Sequence, residues 1–279
     1  MNQGTRSALR MKLAERIRSR LLAPEGAWAA CLRYWLRRAG GLVLPWFFRG
    51  DRCECPCCGG HFRRFMTFRT SGWRMENARC PRCGSFQRQR VLWLYLQRET
   101  DLLSRPIRVL QIAPDLAFFL RLSALGNVDY VTGDLQRSPM ISRQMDITQL
   151  PFGADRFDLI LCSHVLEHVP DDRRALGELK RVLRPDGLAL LQHPINDIDQ
   201  TDEDPAVVDP DERLRRWGQA DHVRTYGHDY LQRLADAGFQ AELLAYHDQL
   251  PEATVQRYGL RDQSTTRSQD IAVCRIPPA

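Results

Sequence analysis

Residues 157–170 read FDLILCSHVLEHVP, and this stretch decides the fold. Residues 159–161 form an apolar run of strand length, and the polar residues 162–164 follow where a parallel strand should end. Beyond Pro170, Asp171 can cap a helix whose apolar face is formed by Leu176, Leu179, Val182 and Leu183. A buried strand that leads into a helix predicts an open α/β sheet, in which ligands bind outside the carboxyl ends of the strands.

Strand and helix patterns alternate on both sides of this stretch. Further strands are predicted at 109–113, 128–132, 144–147, 188–192, 242–246 and 271–275. Helices are predicted at 118–125 and 229–237, and a helix at 87–98 lies in a connecting segment, 87–106. This alternation predicts a Rossmann-like, doubly wound α/β domain over 107–279, with a mainly parallel seven-stranded sheet.

The composition is that of a globular protein with an uneven charge. The chain has 279 residues, 43% of them hydrophobic, which suffices for one α/β domain and a smaller appendage. Its net charge of +6 combines a strongly basic first hundred residues with a mildly acidic remainder. A basic N-terminal part can bind nucleic acid, an anionic membrane surface or an acidic substrate, and charge alone does not distinguish among these partners.

The first fifty residues are predicted to be a basic, helical segment. Within it, Leu9, Leu13, Ile17 and Leu21 are spaced four apart, which indicates an amphipathic helix with arginine-rich flanks. This helix can pack on its own protein or attach to an anionic membrane surface. No window has the roughly 18 uninterrupted apolar residues of a membrane span, and arginines interrupt any signal-peptide core. We therefore expect a cytoplasmic protein, with peripheral association at the inner membrane surface as an open alternative.

Paired cysteines in residues 51–86 predict a small zinc ribbon. Two knuckles of the form Cys-Pro-x-Cys-Gly face each other, and their expected ligands to one structural zinc ion are Cys55, Cys58, Cys80 and Cys83. Cys53 and Cys57 remain as spares or alternates. A site closed by four thiolates has no open position for chemistry.

A nucleic-acid-binding role for this ribbon is an alternative. Arginines alternate there with aromatic residues, namely Phe62, Arg63, Arg64, Phe65, Phe68, Arg69 and Arg74. The same phenylalanines can equally form the core of a small ribbon. Nucleic acid is therefore a candidate partner, but not the preferred one.

An acidic residue lies near the end of each of the first three predicted strands of the sheet. These residues are Asp115, Asp134 and Asp146, whereas residues 113–117 contain no glycine. A dinucleotide would need glycines that let backbone amides approach its pyrophosphate. Acidic strand ends are better suited to a ligand that has ribose hydroxyls, an adenine amine and a positively charged centre.

Residues 107–246 resemble the class I S-adenosylmethionine-dependent methyltransferases with a type 11-like methyltransferase domain. The motifs that carry the resemblance are 109–115, 133–134, 146–152, 157–169 and 181–187. The chain departs from the wider family at Gln111, Ala113 and Asp115, where that family has an acid followed by glycines. With the paired cysteines and the segment DHVRTYG at 221–227, the chain is similar to a bacterial subgroup of the family.

The resemblance implies that S-adenosylmethionine is the cofactor. Asp134 would accept hydrogen bonds from the ribose hydroxyls, with Leu135 beside it, and Asp146 and Ile147 would contact the adenine. The first loop and the end of the fourth strand would complete the pocket through Ala113, Pro114, Asp115, Ser163 and His164. Each of the three acids can instead be a helix cap or a turn residue. His164 and His193 are the candidate catalytic bases.

The segment 195–228 is long and polar for a connection in a compact sheet, which indicates a lid. The residues predicted to contact substrate lie near its end, and they are Asp221, His222, Arg224 and Tyr226. The alternative is an internally paired surface loop. The predicted function is methyl transfer to an unidentified acceptor, preferably a small metabolite or a glycan or lipid precursor. The alternatives are an RNA methyltransferase that uses its ribbon, and a non-catalytic ribbon and Rossmann adaptor.

Overall fold

The computed structural model describes residues 26–70, 73–261 and 266–277. Its front part contains α1 (Gly26–Phe47), β1 (Arg49–Cys55), β2 (Gly60–Phe62), β3 (Met66–Thr70), β4 (Trp73–Arg79) and α2 (Gln87–Glu99). β1 pairs with β2 and β3 pairs with β4, both antiparallel. The amphipathic helix predicted at 5–22 lies outside the described residues.

Nine further strands follow in the described residues. They are β5 (Ile107–Ile112), β6 (Val128–Asp134), β7 (Arg143–Gln144), β8 (Phe157–Ser163), β9 (Leu183–Gln192), β10 (Asp202–Glu203), β11 (Arg224–Thr225), β12 (Gln240–Leu244) and β13 (Ile271–Arg275). Seven of them form one sheet in the order β12-β13-β9-β8-β5-β6-β7, while β10 pairs with β11. Only β13 runs antiparallel to its neighbours in the large sheet. The predicted doubly wound, mainly parallel seven-stranded sheet is confirmed.

The remaining helices are α3 (Leu116–Leu122), α4 (Asp172–Val182), α5 (Pro210–Trp217), α6 (Tyr230–Asp236) and α7 (Glu252–Tyr258). Asp171 caps α4 as expected, since its carboxylate accepts a hydrogen bond from the amide of Arg174 at 2.9 Å. The third predicted strand, 144–147, is shorter than expected and covers Arg143–Gln144, because Asp146 begins a turn. No helix among the described residues combines the length and hydrophobicity needed to traverse a bilayer.

The sheet is buried on both faces, and its side chains alternate between two cores. Val109 and Leu159 point into one core, and Leu110 and Ile160 point into the other. The first core also contains ribbon residues such as Phe62, so the ribbon and the sheet are packed on each other.

Buried Arg90 links the ribbon to the sheet domain. Its guanidinium donates to the carbonyls of Ala78 and Ser85 in the ribbon and to that of Gly259 after α7, at 2.6–2.9 Å. The guanidinium also stacks 4.2 Å from the ring centroid of Phe65. The ribbon is therefore held in a fixed position on the sheet domain.

Candidate functional site

The strand order reverses between β5 and β8, and this switch point forms a crevice at the carboxyl ends of the two strands. Ile112 of β5 and Cys162 of β8 are opposite each other in the parallel pairing. On its other side β5 pairs with β6, and on its other side β8 pairs with β9. Crevices of this kind are the ligand sites of open α/β sheets. The candidate residues predicted at the strand ends, including Asp134 on the neighbouring β6, meet at this edge of the sheet.

The residues that leave these two strands have a strained backbone. Ala113 has φ of 48° and His164 has φ of 55°, both in the left-handed region. For a residue with a Cβ atom, this conformation costs about 1–2 kcal/mol. Strain of this kind persists where the surroundings enforce it, and it clusters at ligand and active sites. The first loop thus has a glycine-like conformation at Ala113 although it has no glycine.

Each of the three predicted acids forms a local hydrogen bond that fixes its place at a strand end. The Asp115 carboxylate caps α3 by accepting from the amide of Phe118 at 3.1 Å. Asp134 accepts from the amide of Gln136 at 3.0 Å, and Asp146 accepts from the amide and hydroxyl of Thr148, both at 2.8 Å. Burial raises the pKa of Asp115 and of Asp134. The roles of these carboxylates in binding a ligand remain predictions.

A cavity of about 160 Å³ lies beside Asp134. The sheet domain contributes Leu116, Asp134, Gln136, Arg137, Ser138 and Met140 to its lining, and α1 contributes Ala30, Arg33, Tyr34 and Arg37. Tyr34 also contacts the ring of Phe119 in α3, with centroids 6.4 Å apart. Helix α1 therefore covers the predicted ribose position.

Two further residues are predicted to contact the cofactor. Of these, Leu135 is 64% exposed, whereas Ile147 is buried.

His164 lies beside a buried carboxylate that the sequence did not single out. Its Nδ1 is 3.2 Å from Oε1 of Glu167, whose side chain is 2% exposed. Burial raises the pKa of Glu167, but the contact with His164 opposes this and the net pKa is about 2. Burial and the Arg88 charge lower the pKa of His164, and Glu167 counteracts them. Nε2 of His164 is buried, and a contact with the Ser268 backbone also raises the pKa of this histidine.

His193 lies deeper, between two tyrosine rings. Its ring centroid is 4.3 Å from that of Tyr226 and 3.8 Å from that of Tyr230, and in the described part of the chain neither ring nitrogen has a partner. Burial lowers the pKa of His193 to about 3, so the imidazole is neutral near pH 7. Of the two predicted bases, His164 is the better placed because a carboxylate can stabilise its protonated form.

The segment predicted to contact substrate is docked on the turn after β8. Arg224 is buried, and it donates to the carbonyls of Leu166, Val169 and Pro170. The hydroxyl of Tyr226 donates to Asp172 at 2.6 Å. These contacts give Arg224 and Tyr226 structural partners, and their contact with a substrate remains a prediction.

The other two predicted substrate residues lie closer to the histidine cluster. Nδ1 of His222 is 2.9 Å from the carbonyl oxygen of Trp217, and the buried Nε2 has no partner among the described residues. Asp221 lies 3.4 Å from Nδ1 of His168. The structure thus brings His222 together with Glu167 and His168. The available signal was the spacing, since Glu167 follows His164 by three residues at a strand end.

The four predicted cysteine ligands form one cluster in the ribbon. The sulfur atoms of Cys55 and Cys83 are 3.6 Å apart, those of Cys58 and Cys80 are 3.7 Å apart, and all four lie within 4.8 Å of one another. Tetrahedral bonds of about 2.3 Å to zinc place thiolates roughly 3.8 Å apart, so the four positions fit this ion. The thiol of Cys57 instead contacts the carbonyl of Gln89 at 3.7 Å.

Comparisons with known proteins match the central part of the chain. The family model described as "Methyltransferase domain" matches residues 122–191. An uncharacterized methyltransferase of Bacillus subtilis (strain 168), YcgJ, is 36% identical over 100 residues, which are 36% of this chain and 36% of that protein. An uncharacterized methyltransferase of Mycobacterium sp. (strain KMS) is 48% identical over 48 residues, which are 17% of this chain and 19% of that protein. The chain thus spans about a third or less of the length of these relatives.

Two solved structures are similar to the chain at low identity. The YcgJ structure has a TM-score of 0.43 and 18% identity, with 68% of this chain and 100% of that chain covered. An S-adenosylmethionine-dependent methyltransferase from Mesorhizobium loti has a TM-score of 0.45 and 20% identity, with 66% and 96% covered. The assignment of the fold rests on the strand order and directions described above.

Proposed function

We propose that the chain is an S-adenosylmethionine-dependent methyltransferase whose acceptor is a small metabolite or a glycan or lipid precursor. One observation carries the proposal, namely the two strained residues Ala113 and His164 at the ends of adjoining strands, with Asp134 beside them. The family match to residues 122–191, which include Asp134 and His164, supports it. S-adenosylmethionine, when bound, supplies an electrophilic methyl group.

The residues of the crevice hold and orient this cofactor. Asp134 accepts hydrogen bonds from the ribose hydroxyls, while Asp146 accepts from the adenine amine and Ile147 packs near the ring. Asp115 binds the methionine ammonium. Ser163 forms part of the wall, and its hydroxyl is fixed by contact with Oε1 of Gln192 at 3.1 Å. The orientation of the two reactants supplies much of the rate acceleration.

His164 acts as the base when the acceptor carries a proton at neutral pH. Its Nε2 is the nitrogen that would accept the proton, and Glu167 stabilises the resulting positive charge from the Nδ1 side. Glu167 is a positioning residue in this scheme. His193, which is buried between two tyrosines, lines the acceptor side.

The cysteine cluster binds a structural zinc ion. Cys55, Cys58, Cys80 and Cys83 close the site, so the ion holds the ribbon together and takes no part in methyl transfer. The packing of the ribbon on the sheet core favours this role over nucleic-acid binding, since Phe62 and Phe65 are buried. A cytoplasmic location remains our expectation.

Calorimetry with S-adenosylmethionine tests the proposal on the full chain. We expect binding by the wild-type protein and at least a tenfold loss of affinity for Asp134→Ala. Asp129→Ala is the matched control, because Asp129 is in the same strand at the opposite edge and pairs with Arg156. No heat from the wild-type protein would overturn the proposal and favour the adaptor.

A second measurement addresses the RNA alternative. RNA affinity measured at two salt concentrations should show no specific, salt-dependent binding if the ribbon is purely structural. Tight binding that weakens steeply with salt would favour the RNA methyltransferase instead.

A further inference from the structure

Glu167, His168 and His222 form a second group of ligand-type side chains, outside the ribbon. Each offers one atom, and the three atoms lie within 4.8 Å of one another. Glu167 is 2% exposed and His222 is 6% exposed. In the described ranges, Oε2 of Glu167 and Nε2 of His222 have no hydrogen-bond partner, while Oε1 of Glu167 has a 3.2 Å contact with Nδ1 of His164. An unpaired buried polar atom costs about 1–3 kcal/mol, so two of them in one place require an explanation.

Contacts behind the two histidines orient them as metal ligands. Nδ1 of His222 is 2.9 Å from the carbonyl oxygen of Trp217. A carbonyl only accepts hydrogen bonds, so Nδ1 carries the proton and Nε2 keeps its lone pair. Nδ1 of His168 similarly lies 3.4 Å from the carboxylate of Asp221. Carbonyl and carboxylate partners of this kind stand behind most metal-bound histidines.

We propose that Glu167, His168 and His222 bind a divalent transition-metal ion. Two neutral imidazoles and one carboxylate suit zinc or ferrous iron, and three protein ligands leave a position open. The negative charge of buried Glu167 is then balanced. The site differs from the cysteine cluster in ligand chemistry and in having this open position.

The ion lies beside the candidate base, because the Glu167 carboxylate is also 3.2 Å from Nδ1 of His164. If the proposed methyl transfer is correct, an acceptor with a hydroxyl, thiol or carboxylate group would occupy the open position and be oriented there. That role rests on the proposed function. Metal binding by the three residues does not.

Elemental analysis of the zinc-loaded full chain tests the metal site. We expect His222→Gln and Glu167→Gln each to bind one ion per chain fewer than the wild-type protein. His228→Gln is the control, because His228 is half-exposed, pairs with Asp197 and should leave the count unchanged. Equal counts in wild type and His222→Gln would overturn the proposal, provided that circular dichroism shows both proteins folded.

Cobalt loading separates the two kinds of site. Thiolate-bound Co²⁺ absorbs strongly through sulfur-to-metal charge transfer, whereas Co²⁺ bound by nitrogen and oxygen does not. His222→Gln should keep the thiolate band and lose only the weaker visible band. If His222→Gln instead lost the thiolate band and kept the weaker visible band, the proposal would be wrong. Calorimetry with S-adenosylmethionine on the same samples reports on the proposed function independently of the metal count.

The outer face of α1 carries an independent second inference. Eight large apolar side chains of this helix are 49–76% exposed, namely Trp28, Leu32, Trp35, Leu36, Leu42, Val43, Trp46 and Phe47. On a helix of 3.6 residues per turn, these positions fall on one broad stripe. The opposite face packs on the protein, since a Cβ atom at Gly41 would lie 2.3 Å from the carbonyl oxygen of Arg82. An apolar patch of this size is rare on a free surface.

The charges and aromatic residues of α1 indicate what covers this stripe. The helix contains Arg33, Arg37 and Arg38 and no acidic residue, although Arg33 and Arg37 also line the cavity beside Asp134. The sequence before it, 1–25, is also basic, so neither that segment nor a second copy of the chain complements the helix in charge. Tryptophan prefers the boundary between lipid chains and headgroups. We propose that the α1 stripe lies in the surface of an anionic membrane.

Vesicle sedimentation with the full chain tests this second proposal. The protein should sediment with vesicles that contain phosphatidylglycerol and much less with phosphatidylcholine alone. Replacement of Trp28, Trp35 and Trp46 by Ser should reduce binding at least tenfold. Val208→Ser, at a 71% exposed apolar residue elsewhere, should not. Unchanged binding by the triple variant, or a dimer that this variant dissociates, would overturn the proposal.

Discussion

Two polar clusters, buried except at Glu203 and His164, lie side by side next to the turn after β8, and they differ in how their atoms are paired. In the first, which we call the paired network, Asp172, Glu203, Arg224, Tyr226 and Arg233 bond to one another at 2.6–2.9 Å. In the second, the unpaired cluster, His164, Glu167, His193 and His222 keep buried atoms without well-aligned partners among the described residues.

The difference separates a structural role from a binding role. The paired network joins the insertion 195–228 to α4 and α6, and none of its side chains has a buried atom without a partner among the described residues. The unpaired cluster costs stability unless something binds there. The two clusters alternate along the chain, since unpaired His222 and paired Arg224 are two residues apart. Their roles can therefore be separated by single substitutions.

The largest expected effect is on Asp172, at the centre of the paired network. Its carboxylate accepts from Arg233 and Tyr226, and these contacts lower its pKa although burial raises it. Asp172→Ala leaves two buried guanidinium groups short of a partner and should reduce the free energy of unfolding by about 3–5 kcal/mol. Denaturant titration measures this. Exposed Asp199→Ala should change it by less than about 0.5 kcal/mol. If Asp172→Ala reduced the free energy of unfolding by less than about 1 kcal/mol, the network would not be a main contributor to stability.

The next effect is a pH dependence that comes from the unpaired cluster. The folded-state pKa of His193 is about 3, because burial outweighs the Glu167 and Asp172 charges, and His164 lowers it further. The unfolded chain therefore binds more protons below about pH 6.5, and stability falls as the pH drops from there towards 3. Between pH 6.5 and 4.5 this residue should account for about 2 kcal/mol. His193→Gln should flatten the curve, and His228→Gln should not; identical curves for His193→Gln and wild type would contradict this assignment.

The smallest effect compares Tyr226 of the paired network with Tyr230, which packs against His193 of the unpaired cluster. The hydroxyl of Tyr226 donates to Asp172, whereas that of buried Tyr230 has no partner among the described residues. Tyr226→Phe should therefore cost about 1–3 kcal/mol of unfolding free energy, and Tyr230→Phe should be neutral or stabilising. Thermal unfolding of the two variants gives the comparison directly. Equal losses would show that pairing does not distinguish the clusters.

The sequence predicted the sheet well because its signals are local. Apolar runs, the cap at Asp171 and the glycine turns of the ribbon depend on neighbours in the chain, and the strands at 157–161 and 271–275 were placed within two residues. Two strands were placed less accurately: 144–147 ends early because Asp146 bonds to Thr148, and 188–192 in fact begins at Leu183. The roles of Arg224 and Tyr226 were not visible, since their partners are more than fifty residues away in sequence.

The sequence by itself determined the alternation of strands and helices, the carboxylates at the strand ends and the cysteine spacing, because each follows from residue type and short-range periodicity. Only the tertiary structure decided which polar groups are paired. Glu167 joins His164 through one turn of chain, but His222 reaches Glu167 through the fold of the insertion. Burial then shifts the pKa values of Glu167, His164 and His222 and brings their unpaired atoms close together. Desolvation is a property of the assembled core, so no local pattern can reveal it.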